Sequence, residues 1–449
     1  MNTQEIQNQK EWQEFRASDP DMRAVESFIH SHPANTEAKD YLNFLEEVDS
    51  FGGFERWFKA RMTYIEVNKG LTSDYVELIL DLLYEGKMDR QFILDYIRRD
   101  HNAFDSQVVK QLKILGLLDN SELTDACAVP PVFVRALGNA SLVSRSLPAV
   151  SCGSSIPAGC TEIYFWGIPS SGKTCAMSGI LSTASNCDFC SMETLKDTDS
   201  SNHPTGYGYM SALSSIFTRT GDLGALPEGT PTSTTAFMRF NLWEGTERFY
   251  PLACIDIAGE IFECMHLKIS GESLTDEQSD TLNLVSELLE GSKSGNRKIH
   301  FFVIEYGAEN KMYKGYSQAV LLNSAVRYID DHKVFDPKKG STDCVYVLVT
   351  KSDKAGGPGV SEEELYQRLH QYLSDNYSAF LGNLKRLCGT YEINEGRVEV
   401  IPFSLGNVCF RDFCLFDSSR SEIVLHKILK WAFSEDKTRW GKFKANLRK

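Results

Sequence analysis

The octapeptide Gly167-Ile-Pro-Ser-Ser-Gly172-Lys173-Thr174 constrains this chain more than any other segment. It directly follows the β-rich run TEIYFWG (161–167) and opens a stretch with helical periodicity (172–183). A glycine-rich turn between a buried strand and a helix N-terminus is built to hold an anion. Glycine lets the backbone approach closely, and the helix start aims amide donors at the bound group. The amides of Ser170, Ser171, Gly172, Lys173, Thr174 and Cys175, with the turn at Gly167, therefore form a candidate phosphate cradle. Lys173 is placed to reach outer phosphates, and Thr174 to put its hydroxyl on Mg²⁺.

Such a turn requires an α/β sheet around it, and the remaining chain supplies one. Further strand candidates are TAFMRFNLW (235–243), FYPLACIDI (249–257), KIHFFVIEY (298–306), CVYVLVT (344–350) and VEVIPFS (398–404). Helical patterns cover about 280–291, 315–332, 361–387 and 421–434. Continuous apolar strands are those of a sheet buried on both faces. The strands at 235–243 and 249–257 are separated only by EGTER, which predicts an antiparallel hairpin; the rest reads as mostly parallel.

Three further motifs fall at strand ends, where ligands sit in sheets of this kind. Asp256-Ile-Ala-Gly259-Glu260 ends the third strand: the Asp can hold Mg²⁺, and Gly259 offers an amide where a γ-phosphate would lie. Thr350-Lys351-Ser352-Asp353 ends the fifth. A carboxylate there can accept both N1–H and N2–H of guanine, a pair of donors that adenine lacks on that edge. Lys351 would lie along the base plane. Ser404-Leu405-Gly406 ends the last strand and can present backbone N–H groups to a guanine oxygen.

The ordered series GIPSSGKT, DIAGE, TKSD and SLG resembles the Ras-like (TRAFAC-type) P-loop GTPase family, with bacterial multi-domain members as the nearest likeness. The resemblance covers 161–435. It implies a Ras-like α/β domain with a six-stranded sheet and one antiparallel strand, Mg²⁺ and GTP or GDP as cofactors, and two switch segments. Lys173, Gly259 and Glu260 would then serve turnover, and Thr174, Asp256 and a switch threonine the metal. Spacing back from Asp256 favours Thr234 for that threonine, with Thr232 second and Thr230 and Thr235 as loop hydroxyls. Three departures stand out: Glu260 where hydrolysing members carry Gln, Pro169 where Gly is common, and Thr350 where Asn is commoner. A carboxylate at 260 repels a γ-phosphate, so intrinsic hydrolysis is expected to be slow. An ATP-using P-loop protein is the first rival reading, and a non-hydrolysing, nucleotide-bound scaffold is the second.

Residues 1–125 read as a helical N-terminal domain, with apolar spacing of three and four in VELILDLLYEG (76–86) and FILDYIRRD (92–100). Pro33 and Gly86 are expected helix stops. A helix-turn-helix fragment at 92–123 is outweighed by plain helical packing, because no cluster of Arg and Lys marks a recognition helix. Nothing in the domain resembles an active site, which leaves docking of a protein effector or regulator as its expected role. Residues 126–160, rich in Ser, Pro, Ala and Gly, read as a linker, in which Val132–Val134 could add a short strand. A long insert is expected at 184–229. Its Arg219 is either a cis-acting cation or, more simply, an exposed loop side chain, and Cys187-Asp-Phe-Cys190 is a lone CxxC. The tail 437–449 carries six basic residues with Trp440 and Phe443 interleaved, a frayed basic end or an anionic contact.

The formal charge of −14 over 449 residues disfavours nucleic acid as a partner. No apolar run is long enough to span a membrane, and no leader or lipidation box is seen. The twelve cysteines then read as reduced and mostly buried thiols, and the expected compartment is the cytoplasm.

Overall fold

The computed structural model describes residues 3–18, 20–68, 71–138, 156, 159–195, 206–227, 236–244, 248–291, 296–336, 342–357 and 359–432. They form two compact units, one of residues 1–99 and 104–127, the other of 100–103 and 128–449.

The first unit is helical: α1 (Thr3–Arg16), α2 (Met22–Ser31), α3 (Thr36–Ser50), α4 (Phe54–Asn68), α5 (Thr72–Tyr84), α6 (Arg90–Arg99) and α7 (Ser106–Ile114). Short acceptor side chains start several of these helices. Asp21, Asn35 and Asp105 accept from Ala24 N, Ala38 N and Val108 N, satisfying donors that a helix start leaves open. The stops fall where expected: α2 ends just before Pro33, and α5 just before Gly86, which adopts φ 65°. Along 92–112 the apolar residues Ile93, Leu94, Ile97, Val108, Val109 and Leu112 turn inward. The basic residues Arg98 and Arg99 pair with Asp95 and Glu55 of the same unit. The segment is used for packing, as its lack of a basic cluster predicts.

The second unit begins with α8 (Pro131–Gly138). Val132–Val134, considered for a strand, is helical here, because Phe133, Val134 and Leu137 recur at helical spacing and are all buried. The α/β body then runs β1 (Thr161–Trp166), α9 (Lys173–Asn186), β2 (Ser191–Thr194), α10 (Gly206–Ser214), β3 (Leu223–Ala225), β4 (Ala236–Glu244) and β5 (Arg248–Asp256). It continues through α11 (Ile261–Ser270), α12 (Asp276–Gly291), β6 (Arg297–Glu305), β7 (Met312–Tyr313), β8 (Tyr316–Ser317), α13 (Gln318–Asp331) and β9 (Thr342–Thr350). It closes with α14 (Glu362–Asn376), α15 (Ser378–Tyr391), β10 (Glu399–Pro402), β11 (Gly406–Cys409), β12 (Phe413–Phe416) and α16 (Ser419–Ala432).

The main sheet has seven strands in the order β10-β9-β6-β1-β5-β4-β2, and this corrects the expectation of six. Only β4 runs against the others, pairing antiparallel with β5 from Ala236↔Asp256 to Glu244↔Arg248. The extra strand, β2, pairs with the outer edge of β4 and comes from the stretch read as insert. Its four residues, SMET, alternate exposed and half-buried, too short and too polar a run to stand out in sequence. The same stretch also supplies α10 and β3, and β3 joins β11 and β12 in a small antiparallel sheet. The helical pattern at 361–387 is two helices broken at Tyr377.

Both faces of the sheet are covered. Tyr164 and Trp166 of β1 enter one apolar cluster with α11 and α13, while Ile163 and Phe165 enter the other with α9, α10 and α16. Below them, Lys298 of β6 pairs with Glu162 of β1 at 3.2 Å; both are fully buried, and Asn296 and Tyr164 donate to the same carboxylate. β1 lies between β5 and β6, and in sheets of this kind ligands bind beyond the C-terminal strand ends at such a switch in strand order.

Candidate functional site

Beyond the C-terminal end of β1 comes the turn into α9. Gly172 stands at φ 87°, a left-handed conformation that costs glycine little, and Ser170 shares that region at φ 61°. The helix begins at once, with Ala176 N donating to Gly172 O at 2.8 Å. Its first turn, Lys173 to Cys175, therefore aims amide donors into the loop. Ser171 is 1% exposed, and among the described residues its Oγ has no hydrogen-bond partner. A buried hydroxyl of this kind is placed to meet a ligand oxygen.

Parallel pairing of β1 with β5 sets Asp256 level with Phe165, immediately below the loop. The Asp is fully buried, and its Oδ2 lies 3.4 Å from Thr174 Oγ1. The same oxygen accepts from Tyr209 Oη at 2.8 Å. Lys173 is 5% exposed; burial pushes its pKa down, and the carboxylates of Asp256 and Glu260 pull it back up. A hydroxyl and a carboxylate converging beside a buried lysine offer only hard oxygen donors. That set fits Mg²⁺, which takes one or two protein oxygens and fills its remaining positions with water and phosphate.

The turn after β5 closes over the loop. A Cβ added at Gly259 would lie 2.4 Å from Pro169 N and 2.5 Å from Pro169 Cδ, so only glycine lets the two turns touch. Pro169 is thus the surface on which Gly259 rests. Glu260, half-buried at the start of α11, has its pKa raised by burial, against the opposing pull of Lys173 and Lys314. Lys314, between β7 and β8, reaches Glu263 of α11 at 2.6 Å.

The opposite flank is built by β9 and β10. Thr350 Oγ1 donates to Ser171 O at 2.7 Å, with Ile304 O at 3.3 Å, and so ties the end of β9 to the glycine-rich loop. This gives the threonine at that position a physical use. Lys351 adopts φ 55° and pairs with Glu305 at the end of β6. Asp353 stands on an exposed turn; crowding by neighbouring atoms raises its pKa, while its own backbone amide, Lys354 and Lys351 lower it. Ser352 N donates to Phe403 O at 3.1 Å, which brings this turn against the Ser404–Gly406 loop. There Ser404 is half-buried, and Leu405 is 7% exposed and packs toward α9 at Gly179.

The structure therefore gathers Gly167, Ser170, Ser171, Gly172, Lys173, Thr174, Cys175, Asp256, Gly259 and Glu260 around one loop. Lys351, Asp353, Ser404 and Leu405 meet on its β9–β10 side. Thr234, with Thr230, Thr232 and Thr235, lies outside the described residues, as does the tail 437–449. Arg219 pairs with Asp222 at 3.1 Å and is 83% exposed, a surface loop arginine. Cys187 and Cys190 bring their sulfurs to 3.3 Å as free thiols. Among the described residues, no group of three His, Cys, Asp or Glu is arranged to hold a metal.

Sequence reasoning missed Tyr209 and the role of Thr350. Tyr209, Met210 and Leu213 do have the spacing of a buried helical face, but nothing local indicates that the tyrosine hydroxyl ends on Asp256.

No family model matches the chain, and no curated protein matches it significantly. Among solved structures it is similar to the GDP-bound RocCORdC fragment of Methanosarcina barkeri Roco2, at 12% identity and a TM-score of 0.25, over 67% of this chain and 58% of that one. It is also similar to nucleolar GTP-binding protein 1 of Plasmodium falciparum, at 12% identity and a TM-score of 0.28, over 66% of this chain and 99% of that one. The chain thus spans less than two thirds of the Roco2 fragment. Similarity at these TM-scores carries no argument, and the fold stands on the sheet order. No helix among the described residues is long and apolar enough to cross a membrane.

Proposed function

We propose that this chain is a guanine nucleotide-binding switch protein that takes Mg²⁺ with GTP or GDP and hydrolyses GTP slowly. One observation supports the reading: β10, β9, β6, β1 and β5 are successive neighbours in the sheet, with Asp256 Oδ2 3.4 Å from Thr174 Oγ1 and Thr350 Oγ1 donating to Ser171 O at 2.7 Å. In this reading the loop amides and Lys173 bind the phosphates and offset charge that builds on them. Thr174 and, through water, Asp256 would hold Mg²⁺, whose charge would offset that of the phosphates. Asp353 reads the guanine edge, Lys351 flanks the base, and the Ser404–Leu405 backbone meets the guanine oxygen. Gly259 presents its amide to the terminal phosphate. Water then attacks the γ-phosphorus in line as the bond to the β–γ bridging oxygen breaks, giving GDP and inorganic phosphate. The helical first unit is the expected docking site for an effector or regulator.

Competition binding tests the reading directly. Purified protein with Mg²⁺ should bind GDP and GTP on the order of four decades more tightly than ADP and ATP, the discrimination expected of a site built for a paired hydrogen bond. Equal or better binding of adenine nucleotides would leave only a generic phosphate loop.

Glu260 sets the expected rate. A half-buried carboxylate beside the terminal phosphate repels it, and the raised pKa of Glu260 reflects how poorly that position solvates a charge. Glu260→Gln removes the charge and supplies a group that can orient water. Single-turnover GTP hydrolysis should rise about tenfold, corresponding to roughly 1.4 kcal/mol of barrier. An unchanged or slower rate would show that Glu260 is not the brake on hydrolysis.

A further inference from the structure

The segment between α9 and β4 contributes a residue to the metal site that no motif marks. Tyr209 of α10 is fully buried, and its hydroxyl donates to Asp256 Oδ2 at 2.8 Å, the same oxygen that faces Thr174 Oγ1 at 3.4 Å. Its ring is fixed by packing. Tyr209, Met210 and Leu213 lie in one apolar cluster with Met177, Ile180 and Leu181 of α9 and with β4. The hydroxyl therefore has a defined position relative to the phosphate loop.

A neutral donor on a buried carboxylate fixes the plane in which the carboxylate can accept from a cation's water. A carboxylate oxygen has more than one lone pair, so the phenol and a metal-bound water can share it. We propose that Tyr209 is a positioning residue for the Mg²⁺ site, holding Asp256 in the orientation that the cation's water shell requires. This rests on the nucleotide-switch reading above. It also gives the stretch beyond α9 a function: α10 couples its own docking to metal affinity, so displacing α10 weakens Mg²⁺ without touching the phosphate loop.

Tyr209→Phe in the full chain tests this, because it keeps the ring in its slot and removes one hydroxyl. Release of a fluorescent GDP analogue is followed while Mg²⁺ is titrated. Loss of an outer hydrogen-bond partner of a metal ligand typically costs 10- to 100-fold in metal affinity. The half-saturating Mg²⁺ concentration should therefore rise at least about tenfold, with GDP affinity in EDTA unchanged. An unshifted Mg²⁺ dependence would reduce the bond to a structural strut and overturn the inference. A lowered Mg²⁺ requirement would overturn it too, showing that the hydroxyl competes with the cation. Wild-type protein that binds GDP with no response to Mg²⁺ would remove the metal part of the proposed function as well. A responsive wild type with an unshifted variant would remove only the role of Tyr209.

Discussion

Asp353→Asn is expected to erase the preference for guanine over adenine, a loss on the order of four decades in relative affinity. The carboxylate stands exposed on the turn after β9, where Ser352 N and Phe403 O hold that turn against the end of β10. An ionised carboxylate offers two acceptors to the two parallel donors of guanine. Asn offers one acceptor and one donor, so its amide N–H₂ would face the guanine amino group, and one buried donor in the complex would be left unmet. Xanthine, with a carbonyl in place of that amino group, matches Asn. The variant should therefore lose GDP and gain xanthosine diphosphate, as read by competition against a fluorescent nucleotide. The gain separates altered reading from simple damage, because a misfolded protein would bind neither. GDP binding unaffected by the substitution would place the base elsewhere.

Gly259→Ala should weaken nucleotide binding by roughly 10- to 100-fold through a contact with the phosphate loop alone. The added methyl would sit 2.4 Å from Pro169 N and 2.5 Å from Pro169 Cδ, and neither atom is the movable end of a side chain. Overpacking of this kind costs about 1–3 kcal/mol, paid by shifting either the loop that binds phosphate or the turn that follows Asp256. Either shift spoils a site that depends on fixed amides. Adding Pro169→Gly removes the ring atoms but leaves the nitrogen, so the double variant should recover part of the loss. Calorimetric titration of the two singles and the double closes the cycle. Independent, additive losses would show that the two turns do not bear on each other when nucleotide is bound.

What could be read without the fold, and what could not, differ in physical kind. The placement of Gly167–Thr174, Asp256, Asp353 and Ser404 at strand ends was legible because strand periodicity and short-range chemistry mark it. A continuous apolar run identifies a strand buried on both faces, and the polar residue that ends it must face the crevice. The hairpin of β4 and β5 was legible from the few residues joining them. The seventh strand was not, since four residues of mixed polarity owe their conformation to the open edge of β4 rather than to their own preference. Glu260 was visible as a departure, but its half-buried setting and the opposing lysines come from three separate segments.

By itself, then, the sequence of this protein determined an α/β sheet with a glycine-rich turn and a helix start at the end of its first strand, because periodicity and turn chemistry are local. Only the tertiary structure decided that Thr350 anchors the glycine-rich loop, that Gly259 rests on Pro169 and that Tyr209 holds Asp256. Those contacts join residues far apart in the chain, such as Thr350 and Ser171 at a separation of 179. Hydrogen bonds and van der Waals contacts act over a few ångströms, so they exist only once the sheet order has brought the strand ends together.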